Sequence, residues 1–268
     1  MDAPQWHARR ALWADRARRA GALALEAVAP TRCAGCERPG SLICDRCLAE
    51  LTPIDPAHAC LHCGAPFGDL LCTECGGGDE EGGFAPDGDA AAAGARIPGR
   101  CLAAAVFEGP LPRIIRAYKD GGERRLAPLL AELMVDAAIH AEETAPERYG
   151  GFVGAADAVT FVPATAAAFS RRGFDHMEEI ARAFSAMVGL PLADVLVKHG
   201  SSDQRALDRA GRALHARGAY EPVEPVAGLR LVLLDDVITT GATLRGAAGA
   251  LVAAGAVHVD ALALARVW

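Results

Sequence analysis

The residues best suited to chemistry lie in one continuous segment of the second half of the chain. The apolar run 231–234 is typical of a strand buried on both faces of a parallel sheet, and Asp235 and Asp236 follow it directly. Open α/β sheets bind their ligands at the carboxyl ends of such strands. Two neighbouring carboxylates can accept hydrogen bonds from two adjacent hydroxyls of a sugar. The segment therefore predicts a sugar-phosphate site at a sheet edge.

The loop that follows the two acids has residues that suit a phosphate group. Its glycine lets the backbone approach an anion, and a helix predicted from Leu244 to Ala254 would direct N–H groups toward it. The plain alternative is a buried strand followed by a helix with a threonine N-cap. Together the acids and the loop resemble the phosphoribosyl diphosphate (PRPP) motif of type I phosphoribosyltransferases. That resemblance implies that Asp235 and Asp236 bind ribose hydroxyls, and that the 5′-phosphate is held by Thr239, Thr240, Gly241, Ala242 and Thr243.

Eight of the nine cysteines lie before Gly76 and form four C-x2-C pairs. Four thiolates make one tetrahedral zinc site, so eight predict two structural Zn²⁺ ions. Sequential pairing would give two zinc ribbons in tandem and crossed pairing an interleaved module; we favour the sequential arrangement. The module either docks nucleic acid or protein, or only stabilises a segment too small to fold without metal. The predicted ligands are Cys33, Cys36, Cys44 and Cys47, with Cys60, Cys63, Cys72 and Cys75.

The composition predicts a two-domain globular protein. The chain has 268 residues, 51% of them hydrophobic, and a net charge of −7, which gives no support for nonspecific nucleic-acid binding by bulk charge. Without an apolar segment of about 18 residues we expect no membrane insertion and a cytoplasmic protein. We predict an N-terminal helix with a double zinc ribbon over 1–75, a flexible linker over 76–99 and an α/β domain over 100–268. Alternating strands and helices predict a mainly parallel, Rossmann-like sheet.

The order of these motifs along the chain resembles that of the ComF family, which couples an N-terminal zinc module to a type I phosphoribosyltransferase domain. The resemblance covers almost the whole chain and includes the segments 118–122, 171–176 and 204–207 beside the cysteines and the acid pair. It implies a role in natural competence, the uptake of DNA. Where the family usually has Asn-Gln after Arg-Gly-Phe, this chain has Asp175 and His176.

The ComF resemblance also implies the remaining site residues. A diphosphate-binding loop is expected at Val162, Pro163, Ala164 and Thr165, and Lys119 and Arg172 would supply positive charge unless they are ordinary surface cations. A flexible loop that closes on PRPP would carry Gln204, Arg205, Arg209 and Arg212; a solvated helical surface is the alternative. With Asp235 and Asp236, Lys119 and Arg172 form the predicted catalytic set.

Three functions are compatible with these motifs. The first is Mg²⁺-assisted transfer of a phosphoribosyl group from PRPP to a nitrogen acceptor. The second is an adaptor of weak or absent turnover that binds PRPP or a nucleotide and handles single-stranded DNA or a DNA-processing protein. The third assigns the whole function to the zinc module, which would bind a partner protein. The sequence specifies neither the acceptor nor the oligomeric state.

Overall fold

The computed structural model describes residues 30–67, 72, 75, 99–199 and 219–268. The predicted N-terminal helix, most of the predicted linker and the predicted flexible loop with Gln204, Arg205, Arg209 and Arg212 lie outside the described residues. Within the described ranges, no helix combines the length and the apolar character needed to cross a membrane.

The chain divides into two compact units, Met1–Glu50 and Leu51–Trp268. The sequence-based prediction placed a domain boundary after Cys75. Residues beyond Glu50 join the second unit because their backbone bonds to its first strand: the Ile54 amide donates to the Ala104 carbonyl over 3.2 Å, and the Cys101 amide donates to the Leu61 carbonyl over 2.8 Å. The two predicted zinc sites therefore belong to different units.

The helices and strands follow the apolar runs of the sequence. In the first unit, α1 spans Asp45–Ala49. In the second, two short 3-10 helices cover Pro56–His58 and Arg124–Leu126. The strands are β1 Cys101–Val106, β2 Ala158–Phe161, β3 Leu196–Lys198, β4 Tyr220–Pro222, β5 Arg230–Ile238 and β6 His258–Arg266, and the helices are α2 Leu111–Lys119, α3 Ala127–Thr144, α4 Pro146–Tyr149, α5 Ala166–Arg172, α6 His176–Val188 and α7 Ala242–Ala253.

The central sheet has the order β1-β6-β5-β2, and every pairing within it is parallel. This confirms the predicted mainly parallel α/β fold. A separate antiparallel pair joins β3 to β4. The strand β5 runs four residues beyond the predicted apolar segment, since its register with β6 continues to the pair Ile238 and Arg266. Asp235 and Asp236 consequently lie within the last part of the strand rather than after it.

The main core lies between the sheet and α7. Leu231 and Leu233 of β5 pack with Ala261 of β6 and with Leu244 and Leu251 of α7 in one buried cluster. These strand residues share one face because side chains alternate along a strand. On the other elements, α3 packs against β1, β6 and α6, and α6 packs against β2. The layers leave the carboxyl ends of β2 and β5 side by side, with Phe161 in register with Leu234.

Candidate functional site

The two acids of β5 are buried at the carboxyl end of the sheet. Asp235 and Asp236 are only 5% and 7% exposed. Each carboxylate also accepts from the following backbone amide: Asp236 N–H donates to Asp235 Oδ1 over 2.9 Å, and Val237 N–H donates to Asp236 Oδ1 over 2.8 Å. Because neighbouring residues of a strand point to opposite faces, the two carboxylates leave the strand in different directions.

Asp236 lies between a lysine and a histidine. The Lys119 ammonium at the end of α2 forms an ion pair with Asp236 Oδ2, and His176 Nε2 lies 3.2 Å from the same oxygen. Burial by itself would raise the pKa of Asp236, but the hydrogen bond from His176 and the charge of Lys119 outweigh it and lower the pKa below its usual range. Asp236 is therefore an ionised carboxylate whose charge is already compensated.

Asp235 has the opposite character. Burial, followed by the repulsion of the neighbouring Asp236 charge, raises the pKa of Asp235. Its carboxyl group is thus biased toward the protonated form while its neighbour stays ionised. From the sequence the two acids were predicted to be equivalent hydrogen-bond acceptors. In the structure, Asp235 is a potential donor and Asp236 an acceptor for adjacent hydroxyls.

The predicted phosphate loop connects β5 to α7. Gly241 has φ +73°, a left-handed conformation that favours glycine, and α7 begins at the next residue. Arg245 Nη1 donates to the Thr240 carbonyl over 3.0 Å and closes the turn. A shallow surface depression adjoins the loop. Its lining residues are Asp235, Val237, Ile238, Thr239, Gly241, Thr243 and Leu244. Acid, hydroxyls and helix N-terminus therefore face one space.

The predicted diphosphate loop lies after β2, beside the acid pair, but several of its backbone groups are already engaged. Val162 N–H donates to the Leu234 carbonyl over 2.9 Å, and Ala164 N–H donates to Asp175 Oδ2 over 2.6 Å. Thr165 is the N-cap of α5, where its hydroxyl accepts from Ala168 N–H over 3.2 Å. Pro163 has no N–H to offer. The segment presents fewer free donors to an anion than the sequence led us to expect.

The predicted cations meet beside Asp236. Arg172, at the end of α5, places Nη1 3.5 Å from His176 Nδ1 and Nη2 3.3 Å from Asp120 Oδ1. Its Nε is buried and has no hydrogen-bond partner among the described residues. Arg172, His176, Asp236 and Lys119 therefore form a continuous polar chain. Three of these residues were predicted as site residues, whereas His176 stood out in the sequence only as a departure from the ComF pattern; its position directly after Arg-Gly-Phe-Asp was the available signal.

The eight cysteines form two groups that confirm the sequential arrangement. Within each group the four sulfur atoms lie within 4.8 Å of one another. The Cys36 and Cys44 sulfurs are 3.6 Å apart, as are those of Cys63 and Cys72. A tetrahedral site with Zn–S bonds of about 2.3 Å separates its sulfurs by about 3.8 Å. The donor set and its spacing therefore fit a structural Zn²⁺ ion in each group.

Backbone amides prepare Cys33 of the first cluster for metal, and a buried arginine side chain contacts the second cluster. Burial opposes ionisation of Cys33, but hydrogen bonds from the amides of Cys44, Cys36 and Gly35 lower its pKa to about 6. A lowered pKa favours the thiolate, which is the form that binds metal. Near the second cluster, the buried Arg266 at the end of β6 donates from Nε to the Cys63 carbonyl over 3.1 Å, and its Nη2 is 3.9 Å from the Cys63 sulfur.

Comparison with known proteins gives distant relatives. No family model matches the chain. The chain is similar to DNA utilization protein YhgH of Escherichia coli strain K12, with 25% identity over 169 residues that cover 62% of this chain and 72% of that protein. The YhgH protein of Salmonella typhimurium is 24% identical over the same shares.

Two solved structures are similar to part of this chain. One is the glutamine PRPP amidotransferase from B. subtilis complexed with ADP and GMP, at 25% identity and a TM-score of 0.34, covering 56% of this chain and 26% of that one. The other is described as the allosteric regulatory enzyme of purine biosynthesis, at 26% identity and a TM-score of 0.34, covering 51% of this chain and 25% of that one. The chain thus spans about a quarter of either structure.

Proposed function

We propose that this protein binds PRPP with Mg²⁺ and transfers its phosphoribosyl group to a nitrogen acceptor. The observation that carries the proposal is the single segment 235–243, in which two buried acids precede a left-handed glycine turn at a helix N-terminus. Acids suit the ribose hydroxyls, and converging backbone donors suit the 5′-phosphate.

In the proposed reaction the bond between the anomeric carbon and the diphosphate oxygen breaks, and a bond from the acceptor nitrogen forms. The departing diphosphate takes the electron pair, and the nitrogen releases its proton to solvent or to a basic group. Mg²⁺, held by oxygens of PRPP itself, would offset the developing negative charge. Lys119, which pairs with Asp236, and Arg172, which lies beside His176, would supply positive charge for the diphosphate. Catalysis would be mainly electrostatic and positional.

We further propose that this activity or binding serves DNA uptake and use, from the cytoplasm. The name of the YhgH relatives, DNA utilization protein, supports this role, and their similarity extends over most of their length. We also propose that a four-cysteine cluster contacts single-stranded DNA or a DNA-processing protein, as the ComF resemblance implies.

An adaptor without turnover is the second candidate, and one observation favours it. The amides of Val162 and Ala164, expected to face diphosphate, are bonded within the protein. A site that holds ribose and 5′-phosphate firmly but diphosphate weakly would bind PRPP or a nucleotide without stabilising the leaving group.

Calorimetric titration of PRPP with Mg²⁺ into the zinc-loaded protein tests the proposal. The double variant Asp235→Asn, Asp236→Asn should lose binding, whereas Asp136→Asn, an exposed carboxylate on α3, should bind like the unaltered protein. Absence of binding to the unaltered protein would overturn the PRPP site. Diphosphate release measured with ammonia and with free nucleobases then separates the two candidates: release identifies a transferase, and binding without release an adaptor.

A further inference from the structure

His176 is fixed more firmly than its place at the start of a helix requires. Its ring is buried at 6% exposure. Its carbonyl accepts from the Tyr118 hydroxyl over 2.5 Å. The preceding Asp175 accepts from Met177 N–H over 2.9 Å and from Ala164 N–H over 2.6 Å, so that it ties α6 to the loop after β2. The backbone and the ring of His176 are therefore both held in place beside Asp236.

The neighbours of the imidazole determine which nitrogen carries the proton. Nδ1 lies 3.5 Å from Arg172 Nη1, and a guanidinium can only donate. Asp175 Oδ1 is farther, at 3.8 Å, and already accepts from Met177 N–H. On the other side Nε2 lies 3.2 Å from Asp236 Oδ2, an ionised carboxylate that can only accept. The carboxylate of Asp236 is therefore matched by a hydrogen on Nε2.

We propose that His176 is a positioning residue of the PRPP site, whose ring donates from Nε2 to Asp236 Oδ2 and holds that carboxylate in orientation for the ribose. The inference rests on the proposed function and adds a residue to it. Lys119 and His176 both contact Asp236 Oδ2, while Oδ1 accepts from Val237 N–H. Three donors from separate elements fix the plane of one carboxylate, much as outer contacts orient a metal ligand.

Two donors on one oxygen also permit a division of roles. Lys119 is 29% exposed and has a long, flexible side chain, so its ammonium can turn toward the phosphates of a bound ligand. His176 is rigid and buried, and it keeps its bond to Asp236 when the lysine moves. Without His176, the lysine would have to remain with Asp236 or leave a buried carboxylate without a side-chain donor, which is costly.

Substitution by glutamine and by leucine separates this role from simple packing. His176→Gln retains an N–H donor of similar reach, and glutamine is the residue usual in the ComF pattern at this position. His176→Leu retains bulk but has no donor. We expect PRPP affinity to fall by about tenfold or more in the leucine variant, the size typical for loss of an orienting contact, and to stay within about threefold in the glutamine variant. Thermal unfolding of each variant shows whether the fold is kept.

Nitrogen-15 spectra of the ligand-free protein, labelled at histidine, test the tautomer directly. We expect the His176 Nε2 resonance to couple to a hydrogen; comparison with the His176→Gln spectrum assigns that resonance. A bare Nε2 overturns the inference. So does PRPP binding that is equal in the leucine variant and the unaltered protein. Failure of the unaltered protein to bind PRPP would instead remove the proposed function and the positioning role together.

Discussion

The two cysteine clusters have the same local design in two different surroundings. In each, the residue after the second cysteine donates back to the first: Glu37 N–H to the Cys33 carbonyl over 2.7 Å, and Gly64 N–H to the Cys60 carbonyl over 2.8 Å. Both of these residues have positive φ, near 64° and 67°. The same turn thus forms both halves of the module predicted as a double ribbon.

The difference lies in what each cluster is attached to. Cys33, Cys36, Cys44 and Cys47 belong to the small unit that ends at Glu50. The second cluster belongs to the α/β unit, where Leu61 bonds to the first residue of β1 and Arg266 of β6 bonds to Cys63. Arg266 is also in register with Ile238, which precedes the phosphate loop. Metal at the second cluster is therefore coupled to the strands of the proposed PRPP site, although the sequence motifs are alike.

Loss of one cysteine from each cluster should give the largest contrast. Cys63→Ser removes a buried ligand from the α/β unit, and we expect its free energy of unfolding to fall by about 4 kcal/mol or more, since loss of a metal is among the few changes of that size. The matched Cys36→Ser should release one zinc and leave the α/β unit unchanged. Zinc content and unfolding followed by near-ultraviolet circular dichroism measure both effects. Equal destabilisation by the two variants would contradict the distinction.

Removal of Arg266 should have an intermediate effect. Arg266→Met keeps most of the side-chain volume but leaves the Cys63 carbonyl without its charged donor, at a cost of about 2 kcal/mol. We expect the second zinc to be lost to a chelator more readily, by about tenfold or more. The control is Arg32→Met in the first unit, where an exposed guanidinium donates to the Glu37 carbonyl over 3.1 Å. Zinc release that is similar in both variants would show that burial beside the cluster is unimportant.

Sequence periodicity predicted the sheet well because strands buried on both faces leave long apolar runs. The carboxyl end of β5 was predicted as a ligand edge, and in the structure Lys119 pairs with Asp236 there while Arg172 lies beside His176. The unequal acids were not predictable, since the difference between Asp235 and Asp236 arises from partners far away in sequence. His176 was missed for the same reason: its contact with Asp236 joins residues 60 positions apart.

Backbone bonding explains the other differences from the sequence-based view. Composition placed the end of the cysteine module at Cys75, because a Gly- and Ala-rich segment follows it. The unit boundary depends instead on which residues form backbone hydrogen bonds with β1. Composition gives no indication of these bonds. The hydrogen bond of the Ala164 amide could not be predicted either, because its acceptor is Asp175, the N-cap residue of α6, and not a residue of the loop.

The smallest contrast concerns the turn residue itself. Glu37 adopts a left-handed conformation that costs a non-glycine residue about 1 kcal/mol, so Glu37→Gly should stabilise the first unit by up to that amount. Gly64→Ala should destabilise the second unit by about 1 kcal/mol, because alanine at φ +67° bears the cost of the left-handed conformation; the added methyl carbon would make only ordinary contacts, 3.4 Å from the Ala103 amide nitrogen and 3.5 Å from the Cys101 sulfur. Chelator titration of each zinc measures both changes. If Glu37→Gly weakened zinc binding, the glutamate side chain would be needed at the first cluster, and the two turns would not be equivalent.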